Sequence, residues 1–499
     1  MTRKSSASDQ RFNVALDPKL DSPLYVQIRD QFRALIDKKM LSEGERLPPV
    51  RALAKKLGVN QITIARAYRE LSDLNLTQGR RGGGTYVRSR RIERSEGSFR
   101  RDVIFASGAL LADRLYELSR APGVIAFTSN YPVPDPAIVE EYRACLKIAI
   151  EESFDDCFHY DPPAGRPLAR SEAARYLAGK GIGVAADHVL MTSGAQQAID
   201  LVIRGLIGAG ATAIVERPGY YGTINALKAA GARILEVPME EDGMRIDVLS
   251  DHLARHKISL ICINPTFQNP TGATTSLAKR REILKMARRY EIPILEDDHS
   301  SEWQFSSEAV PPIASLAETG DQVLYVCGLG KWLLPGQRFG ILAMPPSLWQ
   351  PFILAKAGAD LHGNGIMQEA LGKFLERGRY IRPFERMRSN YALRQATLYK
   401  ELSERLPDGA KLSKPDGGLS FWLGLPDKAD VSELYFRAVR RGVAFLPGET
   451  FFASNPSRQM MRVSFGLVPE EELLEGVVRL SGVVRDLIAP ASRGRAVMV

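Results

Sequence analysis

Cysteine is scarce in this chain. Four occur in 499 residues, at positions 145, 157, 262 and 327, with no C-x-x-C pair among them. That spacing argues against a disulfide framework and a cysteine-based zinc site, and no metal is expected. Long apolar runs are missing too. None reaches bilayer-spanning length, and "MTRKSSASDQRFN" has no stretch that would serve as a signal peptide. The expectation is a protein without membrane contact, in the reducing cytoplasm. A chain of 499 residues is too long for one core, so two or three domains are expected. Its 44% apolar and 25% charged content is that of an ordinary globular protein.

The formal charge of +9 is unevenly placed. Residues 1–100 hold 21 Lys and Arg against 11 Asp and Glu, so the rest of the chain is close to neutral. A basic module ahead of a neutral body fits phosphate binding, with a solvated basic tail as the alternative. "PLYVQIRDQFRALIDKKML" places Val26, Phe32, Leu35 and Ile36 at near-helical spacing. "VRALAKKLG" reads as a short helix stopped by Gly58, and Asn60 stands where the N-cap of a second helix belongs. That helix has the apolar stripe Ile64, Ala67, Tyr68 and Leu71. Its other face offers Gln61, Thr63 and Arg66, the arrangement of a helix-turn-helix reading the major groove. "LTQGRRGGGTYV" reads as a β-hairpin with glycines at its tip. Arg51, Arg80, Arg81 and the tip glycine Gly83 complete the candidate contacts with double-stranded DNA.

This stretch resembles the winged helix of GntR-type bacterial regulators, whose "LPS-x-R-x-LA-x-x-LG" run and "G-x-GT-[FY]-V" wing match Leu47, Pro48, Arg51, Leu53, Ala54, Leu57 and Gly58, then Gly82, Gly84, Thr85 and Val87. Gln61 stands where many members have arginine, which shifts the expected base preference from guanine to adenine. The N-terminal domain is set at 12–88. Residues 89–118, opening with "SRRIERSEGSFRRD", read as a basic linker.

From residue 119 to 499, apolar segments alternate with amphipathic helices. "HVLMTSG", "TAIVERPG", "RILEVPM", "LICINPT", "IPILEDD" and "VLYVCGL" end in polar or glycine residues. The pattern implies an α/β domain with a mostly parallel sheet and ligands at the carboxyl ends of its strands. "TSGAQQAIDLVIRGL" turns from strand to helix at Ser193, Gly194 and Ala195, where free N–H groups of Gly194, Ala195 and Gln196 would seat a phosphate. "ILEDD" supplies Asp297, "NPTFQNPTG" the Asn269 amide, and "ERPGYYG" the Tyr220 ring. "CGLGKWLLPGQRFG" contributes Lys331 and Arg338. Together they suit a phosphorylated aromatic aldehyde: a lysine for the Schiff base, a carboxylate for a protonated ring nitrogen, an arginine for the phosphate.

The order and spacing over residues 125–485 resemble fold-type I pyridoxal phosphate enzymes of the aspartate aminotransferase kind, with large and small subdomains. The resemblance implies Lys331 as the aldimine lysine, Arg338, Ser193, Gly194 and Ala195 at the phosphate, Asp297 at the ring nitrogen, Asn269 at the ring oxygen and Tyr220 stacked on the ring. It further implies Tyr160 reaching a phosphate across a dimer interface and Arg462 gripping an effector's α-carboxylate. Two positions depart from the family. Gly330 replaces a hydroxyl residue before the lysine, and His299 replaces tyrosine near the ring oxygen, with an imidazole expected to titrate near neutrality. Both halves together resemble the MocR subfamily. That implies a homodimeric, operator-bound cytoplasmic regulator of bacterial type, sensing an amino acid, an amine or pyridoxal 5'-phosphate itself, without sustained turnover. An active aminotransferase with an attached DNA-binding module, and a cofactor-free regulator with the body as scaffold, are the competing readings.

Overall fold

The computed structural model describes residues 14–17, 22–37, 40–42, 44–74, 76–80, 84–87, 119–306, 308–426, 430–457 and 459–488. Contacts divide the chain into two units, residues 1–103 and 104–499.

In the first unit, α1 (Leu24–Asp37), α2 (Val50–Leu57) and α3 (Gln61–Asp73) precede a hairpin of β1 (Thr77–Arg80) and β2 (Gly84–Val87). Gly58 ends α2 in the left-handed conformation at φ 67°, which glycine adopts without a Cβ penalty. Asn60 then caps α3, its side-chain oxygen accepting from the Ile62 N–H at 2.9 Å. Ile64, Ala67, Tyr68 and Leu71 are all buried, as their spacing predicts. The Tyr68 hydroxyl donates to the Pro48 carbonyl at 2.9 Å, and its ring meets Phe32 edge-on. On α1 the expected stripe is rotated: Ile28 and Phe32 are fully buried, while Val26, Leu35 and Ile36 are only half-buried. The reason is where α3 packs, which α1's own periodicity does not specify.

The second unit contains two sheets. We number its strands β3 (Ile125–Phe127), β4 (Val189–Thr192), β5 (Thr212–Arg217), β6 (Arg233–Glu240), β7 (Gly243–Met244), β8 (Ile258–Ile263), β9 (Ile294–Asp298), β10 (Val323–Cys327), β11 (Gly340–Ala343), β12 (Lys411–Leu412), β13 (Ser420–Gly424), β14 (Val443–Pro447) and β15 (Met460–Ser464). The larger sheet runs β4-β11-β10-β9-β8-β5-β6-β7. Pairs β10–β9, β9–β8, β8–β5 and β5–β6 are parallel, while β11 is antiparallel to both its neighbours. All six apolar segments read from the sequence are strands of this sheet. Strand β11, which was not among them, reverses direction and so runs back from the carboxyl edge where Arg338 sits. Every strand of β4, β9 and β10 is buried on both faces, as a helix-covered sheet requires. The smaller sheet, β12-β13-β15-β14-β3, follows the long helix Ile381–Arg405, with β3 supplied from the start of the unit.

Asn60→Ala removes the α3 cap, a loss of about 1 kcal/mol. Amide exchange in the first turn of α3 is expected to quicken roughly fivefold in the full chain, with exchange in the 119–488 unit unchanged.

Candidate functional site

The carboxyl edge of the larger sheet gathers the chemistry. A cavity of about 360 Å³ is lined by Gly194, Ala195, Gln196, Tyr220, Asp297, His299, Gly330, Lys331 and Arg338, together with Tyr131, Gly328, Pro335, Gly336 and Phe339. Lys331 ends the short 3-10 turn Leu329–Lys331 after β10, and its Nζ lies 5.6 Å from the centre of the Tyr220 ring. Burial lowers its amine to a pKa of about 8, with Asp297 opposing and Arg462 and Arg338 adding to the shift. Asp297 closes β9. Burial raises its carboxyl to about 7 despite the pull of Lys331, and its Oδ1 has no hydrogen-bond partner.

Strand alternation sends the two flanking carboxylates to the opposite face. Glu296 accepts from the N–H groups of Ile313 and Ala314 at 2.8 and 2.7 Å. Asp298 is held by Ser301, Tyr325 and Lys180, which keep it at about 2 against the upward push of burial. Only Asp297 of the three faces the cavity, and no metal-type cluster exists among the described residues.

The phosphate seat differs in detail from the expectation. Gly194 donates to the Thr192 carbonyl at 2.9 Å, and the Ser193 N–H to Gln197 Oε1 at 2.7 Å. That leaves Ala195 and Gln196, first residues of the helix Ala195–Leu206, as the available donors. Gly194, at φ 83°, holds a conformation that strains any other residue, and an added Cβ would lie 2.8 Å from Arg338 Nη2 and displace that guanidinium. Arg338 itself is held in the left-handed region at φ 58°, an uncommon conformation for a side chain of its size that aims it over the same helix end.

Asn269 and Arg462 lie close to each other, outside the set of residues lining the cavity. Arg462 Nη1 donates to Asn269 Oδ1 at 2.8 Å and Nη2 to the Thr128 carbonyl at 2.8 Å, while its buried Nε is unpartnered. These two bonds use two of the five guanidinium N–H donors, so Nε and one N–H on each terminal nitrogen remain for a carboxylate while Asn269 and Thr128 orient the group. Tyr160 is 85% exposed and is not among the residues lining the cavity; its ring lies against His362.

His299 corrects an expectation. Burial first, then Lys331 and Arg462, push its pKa well below the usual value, with Asp298 opposing, so it does not titrate near neutrality. Its Nε2 is buried without a partner. Sequence reasoning missed Asn264, which touches both Asp297 and His299. Its place at the end of β8, as the first residue of "NPTFQNPTG", was the available signal.

These groups fit pyridoxal phosphate. The unpartnered Asp297 oxygen suits a ring N–H, the unpartnered His299 nitrogen a ring oxygen, and the Gly194 turn with Arg338 a phosphate. In the first unit, Arg51 and Gln61 are exposed and Thr63 half-exposed. Arg66 is exposed but lies over the Tyr25 ring at 3.8 Å and donates to its hydroxyl at 3.1 Å. Arg81 and Gly83 lie outside the described residues, as do the side chain of Arg80 and the linker 89–118.

Comparison with known proteins agrees with this division. Residues 24–87 match the family "Bacterial regulatory proteins, gntR family", and residues 123–480 match "Aminotransferase class I and II". The chain is 30% identical to the HTH-type transcriptional regulator TauR of Rhodobacter capsulatus, over 92% of this chain and 96% of that one. It is 28% identical to the probable rhizopine catabolism regulatory protein MocR of Rhizobium meliloti, over 93% and 94%. Among solved structures, LysN, the α-aminoadipate aminotransferase of Thermus thermophilus complexed with N-(5'-phosphopyridoxyl)-L-leucine, aligns with a TM-score of 0.71 at 31% identity, covering 77% of this chain and 98% of that one. Helix-turn-helix ahead, aminotransferase fold behind, and a cavity suited to pyridoxal phosphate: the chain belongs to the class I and II aminotransferase family in its MocR-type, GntR-fused form.

Proposed function

We propose that the chain regulates transcription as a homodimer whose DNA affinity responds to an amino acid or amine that displaces Lys331 from pyridoxal phosphate, or to pyridoxal phosphate itself. The observation that carries this reading is one cavity holding a lysine of lowered pKa, a buried carboxylate with an unpartnered oxygen and an anion seat, on a chain that also bears a DNA-reading helix. Pyridoxal phosphate supplies an aldehyde and an electron-accepting ring. Lys331 supplies the amine, Asp297 the charge opposite the ring nitrogen, and Ala195, Gln196 and Arg338 the phosphate donors. The exposure of Tyr160 leaves it free for the role the family resemblance implies, a contact with the phosphate of a partner protomer. Arg462, oriented by Asn269 and Thr128, keeps three N–H donors with which to grip an effector carboxylate. Two DNA-reading units then meet half-sites at a spacing set by the dimer, and the effector acts by binding one arrangement better than the other.

The purified protein is expected to show a visible absorbance band with pyridoxal phosphate that borohydride bleaches and Lys331→Ala lacks. Absence of the band after adding the cofactor would overturn the sensing reading and leave the body as a scaffold.

The rate at which cofactor-free protein captures pyridoxal phosphate should rise through about pH 8 and then level off, well below the range of an ordinary lysine. Asp297 raises the Lys331 pKa, so Asp297→Asn should move that midpoint lower, as followed by stopped-flow absorbance.

Gly330 has ordinary backbone and room for a side chain, an added Cβ meeting only Pro335 at 3.4 Å. Gly330→Ser is expected to tighten pyridoxal phosphate binding about tenfold by adding one donor to a charged group, measured by absorbance titration. Arg51→Ala should weaken DNA binding uniformly across sequences and reduce the salt slope by about 1, measured by fluorescence anisotropy.

A further inference from the structure

Asn264 is 2% exposed at the carboxyl end of β8, and its amide has three neighbours. Two of them are unambiguous. The Asn269 backbone N–H can only donate, and it lies 2.7 Å from Asn264 Oδ1. The Asp297 backbone carbonyl can only accept, and it takes Asn264 Nδ2. Together they fix which end of the amide is nitrogen. The second proton of that nitrogen faces His299 Nδ1 at 3.0 Å. A ring nitrogen that accepts an N–H carries a lone pair, so Nδ1 is unprotonated, and a neutral imidazole must carry its proton on Nε2. Nε2 is the buried atom without a partner, on a residue that lines the cavity beside Lys331 and Asp297.

We propose that Asn264 is a positioning residue: it locks His299 in the Nε2–H tautomer, so that the imidazole offers a permanent, uncharged hydrogen-bond donor to the ring oxygen of pyridoxal phosphate. The proposal rests on the cofactor reading above. Adding a proton to Nδ1 would set N–H against N–H. The charges around the ring add to this: Lys331 and Arg462 disfavour an imidazolium, and Asp298 is the carboxylate that opposes them, while Asp297 shares the cavity with its own charge partly neutralised. His299 is therefore a donor and not a proton shuttle, which separates it from a tyrosine whose hydroxyl can both donate and ionise. The chemistry of the Lys331 end of the cavity should then carry no histidine titration in its pH dependence.

The test uses the full chain with nitrogen-labelled histidine and no added ligand, with the His299 signal assigned by its loss in His299→Gln. The expected spectrum is the Nε2–H tautomer, unchanged between about pH 5.5 and 8.5. A proton on Nδ1, or titration within that range, would overturn the lock. Asn264→Asp exchanges the donor for an acceptor and should move the His299 proton to Nδ1 or bring its titration into the range. An unaltered tautomer in that variant would also overturn it. A second measurement compares binding of pyridoxal phosphate with that of its analogue lacking the ring hydroxyl. The wild type should prefer pyridoxal phosphate about tenfold, His299→Phe should lose that preference, and His299→Gln, with an amide N–H near the place of Nε2, should keep most of it. A preference that survives in His299→Phe would refute the donor role. Failure of the wild type to bind either compound would refute the cofactor reading, and the tautomer result would still stand on the spectrum alone.

Discussion

A carboxylate with an unpartnered oxygen, buried at the end of a parallel strand, is the constraint around which this site is arranged. Leaving Asp297 Oδ1 without a donor is costly in a protein interior, and the cation that offsets this is Lys331. Burial shifts both toward their neutral forms, the acid to about 7 and the amine to about 8. The same burial that makes the pair unfavourable in isolation makes the amine nucleophilic near neutral pH and the acid ready to accept a charged ring. A cationic ring N–H would supply the partner that Asp297 Oδ1 lacks.

The surrounding structure keeps the neighbouring carboxylates out of the cavity, leaving Asp297 as the carboxylate among its lining residues. Glu296 is tied to two backbone N–H groups and Asp298 to Lys180, Ser301 and Tyr325. Glu216, also buried, is raised to about 8 by burial and accepts from the Asn264 N–H and the Gln268 amide. Asn264 thus meets Glu216, Asp297 and His299 at once, which makes the end of β8 the junction of the polar groups beneath the cavity. Four strands deliver the functional residues because their carboxyl ends share one edge. The antiparallel β11 starts from that edge, so Arg338, two residues before it, joins the set.

The two units rest on different physics. The winged helix is small, held by one cluster that includes Ile28, Phe32, Ile64, Tyr68 and Leu71, and its ends are set by local capping. The larger unit depends on long-range parallel pairing, so its site residues come from positions as far apart as Ser193 and Arg462. The Arg462–Asn269 bond joins elements of the two sheets, β15 and the loop after β8.

Much was legible from the sequence because it is local. Gly58 and Asn60 mark helix ends through their own backbone and side-chain chemistry, the α3 stripe follows from helical periodicity, and six strands follow from their apolar runs. Lys331, Asp297, Gly194 and Tyr220 were recognisable as a set because each stands at or just beyond the carboxyl end of an apolar run, with Arg338 in the segment that follows Lys331, and strand ends converge in any such sheet. Partner choice was not legible. Nothing local tells that Arg462 donates to Asn269 and Thr128, or that Ile28 is fully buried where Val26 is half-buried. Least visible was the state of His299. Its residue type suggests a group titrating near neutrality, but burial, two nearby cations and the orientation of one distant asparagine make it a neutral donor. The sequence by itself determined which groups stand at the sheet edge; only the tertiary structure decided which of their hydrogen bonds are already spent, because that depends on neighbours brought together from across the chain.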